Sequence, residues 1–221
     1  MSEVVSDHVK RLRSYHETHI ALSKAMAEAY GGTVYFLDIL ATAVINRSLA
    51  LISGFCLLVE AKNFICAAPL VRLQVDNCLR FYAAHLVKNP HDFAVQVLQG
   101  ISVRSMKDRH NKSMTDRYLA IKLSERHPWV LKLYEEVSGY IHLSDKHIFH
   151  AVREAKDDRT VSFTVGASDI DLPDEVYVEA IKAFTAATDV LLEYIQGWIY
   201  TKNNPEEVER LKKQLEKGKT K

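Results

Sequence analysis

The chain has 221 residues, 48% of them apolar and 26% charged, with a formal charge of +1 when histidine is neutral. That length supports a core of ordinary size without staples, and so small a charge excludes a global basic field of the kind that gathers nucleic acid. The three cysteines, Cys56, Cys66 and Cys78, are too few and too scattered for a disulfide framework or a zinc knuckle, and read as plain core thiols of a reduced, cytoplasmic protein.

The opening MSEVVSDHVKRLRSYHETH is polar and charged, unlike a signal peptide. From residue 3 to residue 30 apolar groups recur at helical spacing (Val5, Val9, Leu12, Tyr15, Leu22, Met26), and Gly31-Gly32 stops the helix. A second helix runs from Val34 to about Ala61, apolar nearly all round and therefore expected at the centre. Its uncharged run, Ser48 to Val59, is shorter than the ~20 residues a bilayer needs, so no membrane span is expected. A third helix covers Phe64 to Val87, with Pro69 either kinking it or marking its true start.

Asn89-Pro90 caps a short helix that Gly100 closes, and the aperiodic ISVRSMKDRHNK reads as an exposed loop. Helices resume at about Thr115 to Arg126 and, after Pro128, at Trp129 to His142. The stretches HIFHAVRE and RTVSFTVG alternate or are β-branched around a polar AKDD, which predicts a small β-hairpin near 147–166. A long helix follows from about Pro173 to Tyr200, and Asn204-Pro205 opens a last one whose apolar stripe is Val208, Leu211 and Leu215. The expected fold is an all-α bundle of long helices in a single domain, 1–221, with the C-terminal helix 205–217 as a candidate appendage. The basic tail KKQLEKGKTK is expected to be a solvated, frayed end.

The third helix carries the first chemical question. Arg72, Asp76 and Arg80 recur every four residues on an otherwise apolar helix, so they form one ladder along one face, with Asn77 beside it. One carboxylate cannot neutralise two guanidinium groups. The excess positive charge is met either by further side chains of an internal network or by an anionic ligand.

Arg72-x3-Asp76 on an apolar helix, followed by Tyr134-x3-Ser138-x3-His142, resembles a family of bacterial all-helical proteins of unassigned activity. Members of that family carry an Arg-x3-acid pair, usually Glu where this chain has Asp76, and a Tyr-x3-Ser-x3-His run leading into a turn. The likeness covers roughly residues 40 to 150 and implies a bundle related to the HEPN superfamily, which includes nucleotide-binding helpers and ribonucleases of defence and toxin systems. It implies no catalytic residue.

HEPN ribonucleases use an Arg-x4-6-His pair, in which the histidine moves protons at the ribose 2′-hydroxyl and the arginine stabilises charge on the phosphate. Here Arg11/His16, Arg13/His19, Arg80/His85 and Arg104/His110 all fit that spacing, and about one or two such matches arise by chance in a chain this rich in both residues. Arg80 and His85 have the best setting and are the catalytic candidates. Residues five apart, however, are separated by roughly 140° around a helix, so the two side chains face different sides unless the helix end frays or a partner chain bridges them.

His142, His147 and His150 form a second cluster with neither the i, i+4 pair nor the intervening Glu of a helical zinc site, so no metal is expected there. A hydrogen-bonded His142 beside Arg72 or Asp76 fits better, which makes Arg72, Asp76 and His142 the candidate binding residues. No Gly-rich phosphate loop or Gly-x-Ser-x-Gly elbow is present, and no cofactor is expected. The functional expectation is a cytoplasmic, HEPN-like protein acting as a homodimer through binding of RNA, a nucleotide or a protein partner; the alternative is a metal-independent endoribonuclease. The dimer is expected to use helix 1 or the Val208/Leu211/Leu215 stripe.

Overall fold

Val5, Val9 and Leu12 share one helical face, and α1 (Glu3–Glu28) buries all three together with Met26. Ser2 caps it by accepting from the Val5 amide, and a 3-10 turn at Ala29–Gly32 ends it, with Tyr30, Gly31 and Gly32 at positive φ. The remaining helices are α2 (Phe36–Glu60), α3 (Phe64–Leu86), α4 (Pro90–Leu98), α5 (Asp116–Ser124), α6 (Trp129–Ser138), α7 (Asp174–Asn203) and α8 (Pro205–Gly218). The computed structural model describes residues 1–140, 152–155, 161–163, 165–166, 168–169 and 172–218, with side chains described except at 152–155, 161–163, 211–212 and 214–218.

The protein is an all-α helical bundle. Within the described residues the expected hairpin is present as β1 (Val152–Ala155) antiparallel to β2 (Val161–Phe163), with a register shift between Val152 and Glu154. Pro69 lies inside α3 and does not mark its start.

α1, α2, α3 and α7 make the four-helix core. Two apolar clusters fill it. One gathers Val5, Val9, Leu12, Ile52, Phe55, Val71, Ile181 and Phe184, and the other Met26, Leu37, Val44, Ile45, Val75, Leu79, Leu191 and Ile195. α1, α3 and α7 therefore run from the first cluster to the second, and α2 runs the opposite way. α4, α5, α6 and the hairpin return the chain between the end of α3 and the start of α7, with α5 and α6 packed on α3.

On each core helix one polar residue marks the border between the clusters. These are His19, Ser48, Gln74 and Thr188, and none is exposed at all. Gln74 spends its two amide hydrogens on Ser48 Oγ at 2.8 Å and Thr188 Oγ1 at 2.9 Å. The Ser48 hydroxyl then donates to His19 Nε2 at 2.8 Å, and His19 Nδ1–H donates to the Tyr15 carbonyl at 2.7 Å. Burial lowers the His19 pKa, so the ring is held neutral in the tautomer this chain of bonds requires.

Two sequence expectations change. α2 is apolar nearly all round, as expected, but it is not central. Leu37, Ala41, Val44, Ile45, Ile52 and Phe55 face the core, while Phe36, Ile39, Ala43, Ala50 and Leu57 stay exposed. The central helix is α3, which is buried on every side except along the Arg72–Arg80 edge and its first turns. Among the described residues α2 is also the one helix long and apolar enough to cross a membrane by length and composition, with a mean hydropathy of 1.7 over its best window. Arg47 is the lone charge between Asp38 and Glu60.

The segment read as an exposed loop is exposed over most of its length, but it is pinned to the core at a few points. Val103, Met106 and Met114 are buried, and the Arg109 side chain caps the end of α3 by donating to the carbonyls of His85, Leu86 and Val87. Asp108 pins the turn by accepting from the amides of His110 and Lys112 and from the Tyr118 hydroxyl. Its apolar anchors are spaced by turn geometry, not by a helix or strand period, which is why the sequence gives no sign of them.

Ser48→Ala removes the one group that joins His19 to Gln74 and leaves a buried ring nitrogen and an amide hydrogen unpaired. Urea unfolding should show a loss of about 1–3 kcal/mol; a change under about 0.5 kcal/mol would mean the layer does not contribute to stability.

Candidate functional site

The outer edge of α3 carries the one dense charge network that the sequence points to. Arg80 Nη2 reaches Asp76 Oδ1 at 3.1 Å one turn back and Asp116 Oδ1 at 2.5 Å. Asp116 is the first residue of α5, placed there by the Thr115 cap, whose hydroxyl accepts from the Tyr118 amide. Arg72 Nη2 lies 3.6 Å from Asp116 Oδ2, and its guanidinium sits 4.3 Å over the Tyr134 ring of α6. Arg47 of α2 closes the other end with Nη1 3.2 Å from Asp76 Oδ2.

The ladder is thus a network, but its wiring differs from a simple Arg72–Asp76–Arg80 row. Asp76 pairs with Arg80 and Arg47, and Arg72 turns to Asp116 and Tyr134. The physical reason is the arrival of α5 and α6 on this face, which supplies a carboxylate and a ring closer to Arg72 than Asp76 is. Arg72 and Tyr134, both members of the motif pair, therefore meet in space. Ser138 donates back to the Tyr134 carbonyl at 2.5 Å, and His142 lies outside the described residues.

Side-chain exposure grades along the network, from 11% at Arg72 to 28% at Arg80 and 42% at Arg47. Three guanidinium groups face two carboxylates. Arg80 Nη1 is buried with no bonding partner among the described residues, so those residues leave one guanidinium charge in surplus. Arg47, the most open of the three, is where an anion would reach it.

His85 is elsewhere. Its ring packs edge-on against Phe81 and Tyr194, and its Nε2 is buried without a partner among the described residues. Burial, with the Arg109 charge beside it, pushes its pKa down to about 4, so it is neutral at pH 7. Arg80 faces α5 and His85 faces α7; within one chain they do not share a site, as the 140° offset requires. Arg80 is also held by two carboxylates and is not free for a phosphate.

Two contributors were not singled out in the sequence. Arg47 was legible as the lone charge in the middle of an apolar helix, and Asp116 as an acid in a first helical turn, a position ordinarily explained by the helix dipole. A second buried pair, Asp38 and Lys202, gave no signal, because its members are 164 residues apart. Of the cysteines, Cys56 and Cys78 are buried as core thiols, whereas Cys66 is exposed at the start of α3. Among the described residues no three His, Cys, Asp or Glu side chains converge as a metal site would need; His147 and His150, like His142, lie outside them.

No family model, curated protein or solved structure matches the chain.

Two outcomes test this geometry. A double-mutant cycle on Arg80 and Asp116 should give a coupling of about 1–2 kcal/mol, against under about 1 kcal/mol for the more exposed Arg47 and Asp76. For His85 the folded pKa lies below the unfolded value of about 6.5, so its stabilisation is complete above pH 6.5 and is lost as pH falls toward 4. Denaturant titrations should show about 3 kcal/mol of loss across that window, and His85→Leu should flatten it.

Proposed function

We propose that this chain is a HEPN-like cytoplasmic helical protein that acts without catalysis, by pairing with a second copy and binding a phosphate-bearing ligand such as RNA or a nucleotide. The observation that carries the reading is the bare face of α2. Phe36, Ala43, Ala50 and Leu57 recur every seven residues, and Ile39, Asn46 and Ser53 recur every seven beside them; all seven are exposed. Phe36 is 52% and Leu57 57% open.

This is the a/d pattern of a helix pair, about 30 Å long. Its large residues stand at both ends and its small ones in the middle, so a two-fold axis near Asn46 sets Phe36 against Leu57 and Ala43 against Ala50. Asn46 fixes the register as a polar group in such a seam does. Helix 1, one of the faces expected to pair, is already spent on the chain's own core. The side chains of Leu211 and Leu215 in the α8 stripe lie outside the described residues.

Ligand binding draws its support from the surplus guanidinium charge of the Arg47/Asp76/Arg80/Asp116/Arg72 network, with Arg47 at the surface. The endoribonuclease alternative draws little, because its two residues face apart and His85 is enclosed.

Light scattering at tens of micromolar should give twice the chain mass, and Leu57→Glu should return it to one. A single-chain mass for the unaltered protein would refute the pairing. Labelled RNA should be bound and left intact in excess chelator, with binding weakened several-fold in Arg47→Ala; cleavage that survives chelation and stops in His85→Ala would establish the alternative.

A further inference from the structure

The end of the bundle where α1 finishes, α2 begins and α7 ends contains a cleft of about 150 Å3. Its floor is a buried ion pair. Lys202 Nζ, on a side chain 1% exposed, donates to Asp38 Oδ2 at 2.9 Å and to the Met26 carbonyl at 2.9 Å. Asp38 is saturated: Oδ1 accepts from Trp198 Nε1 at 2.7 Å, and Oδ2 accepts from the Tyr35 amide as well as from Lys202. The walls are Met26, Val34 and Ile39, with Val34 and Ile39 left largely open to solvent.

The hydrogens decide what such a cleft accepts. Ser23 and Thr42, which also line it, donate their hydroxyl hydrogens to the carbonyls of His19 and Asp38 in their own helices, so their oxygens have only lone pairs to offer. Lys202 carries three hydrogens, of which two are placed on oxygens; the ammonium also lies 5.7 Å from the Tyr35 ring centroid, and the third hydrogen has no oxygen or nitrogen acceptor among the described residues. A hydroxyl is the smallest neutral ligand group that both accepts from the ammonium and donates to a hydroxyl oxygen. Net charge on the ligand is disfavoured in either sign: an anion meets Asp38 and a cation meets Lys202. The volume equals that of an engineered apolar cavity that takes up benzene.

We propose that this cleft is a binding site for a small neutral molecule of phenol size, with an apolar ring or branched body against Met26, Val34 and Ile39 and one hydroxyl on Lys202. The site lies apart from the arginine network; it shares Ile39 with the α2 face proposed to pair, and the test below separates the two.

The test is an NMR titration of isotope-labelled protein with phenol, run on the unaltered chain and on Leu57→Glu so that pairing through α2 cannot mask the cleft. Phenol should move the amides of Ala27, Ile39 and Thr42 saturably at millimolar concentration. Toluene, benzoate and benzylamine, which lack the hydroxyl or add a charge, should bind about ten-fold more weakly. Ala27 is exposed beside the cleft, so Ala27→Trp keeps the fold and should abolish the shifts by filling the space, and Thr42→Val should weaken them. Absence of saturable shifts in both backgrounds, unchanged shifts in Ala27→Trp, or benzoate binding as well as phenol would each overturn the proposal.

Discussion

Gln74 sits in the middle of α3 with no access to solvent and two amide hydrogens to place, and the four long helices are arranged so that both are placed. Placing those two hydrogens demands Ser48 from α2 and Thr188 from α7 at one level, and placing the Ser48 hydrogen in turn demands His19 from α1. An apolar core tolerates a helix sliding by a turn, since one Leu replaces another at small cost. A directional chain of hydrogen bonds does not, because each buried group left unmatched costs about 1–3 kcal/mol. The layer therefore specifies register, as a lone polar residue does in a coiled coil.

Everything on the edge of α3 inherits that register. With α2 fixed against α3 at Ser48 and Gln74, Arg47 comes one residue away on α2 to within reach of Asp76, two residues past Gln74. Arg80 and Arg72 then stand one turn to either side, where α5 and α6 bring Asp116 and Tyr134. The same framework explains why His85 is unavailable. It faces the α7 side of α3, where a buried ring with an apolar surround is a packing element held neutral, and its neighbour Arg109 serves the helix end. A histidine at the right spacing from an arginine has become two separate structural roles.

The distribution of polar groups also separates what is finished from what is open. The layer and the Asp38–Lys202–Trp198 node are almost wholly internal, and among the described residues they keep only a Gln74 amide oxygen and one Lys202 hydrogen without an oxygen or nitrogen partner. The α2 face and the arginine network are not: one leaves apolar side chains in water, and the other leaves a surplus guanidinium charge. The first pair of features is enclosed by the fold, whereas the second pair remains at the surface.

Much of this was legible from residue order. Helical periodicity, Gly31-Gly32, Asn89-Pro90 and Pro173 placed every long helix to within a few residues, because those signals act through the local backbone. β-branched alternation around AKDD placed the hairpin for the same reason. The four-residue spacing of Arg72, Asp76 and Arg80 announced a charged ladder, and helical geometry foretold that Arg80 and His85 would diverge. Which carboxylate each arginine takes was not legible, since Asp116 and Arg47 reach the ladder from other helices and only packing decides their distance. Nor was the face of α2 that stays bare: its composition is apolar on nearly every side, and burial there depends on where α1, α3 and α4 lie. Lys202 reads as a solvated end of a helix until tertiary structure sets it on Asp38, because a charge so far along the chain from its partner carries no trace of it in the sequence.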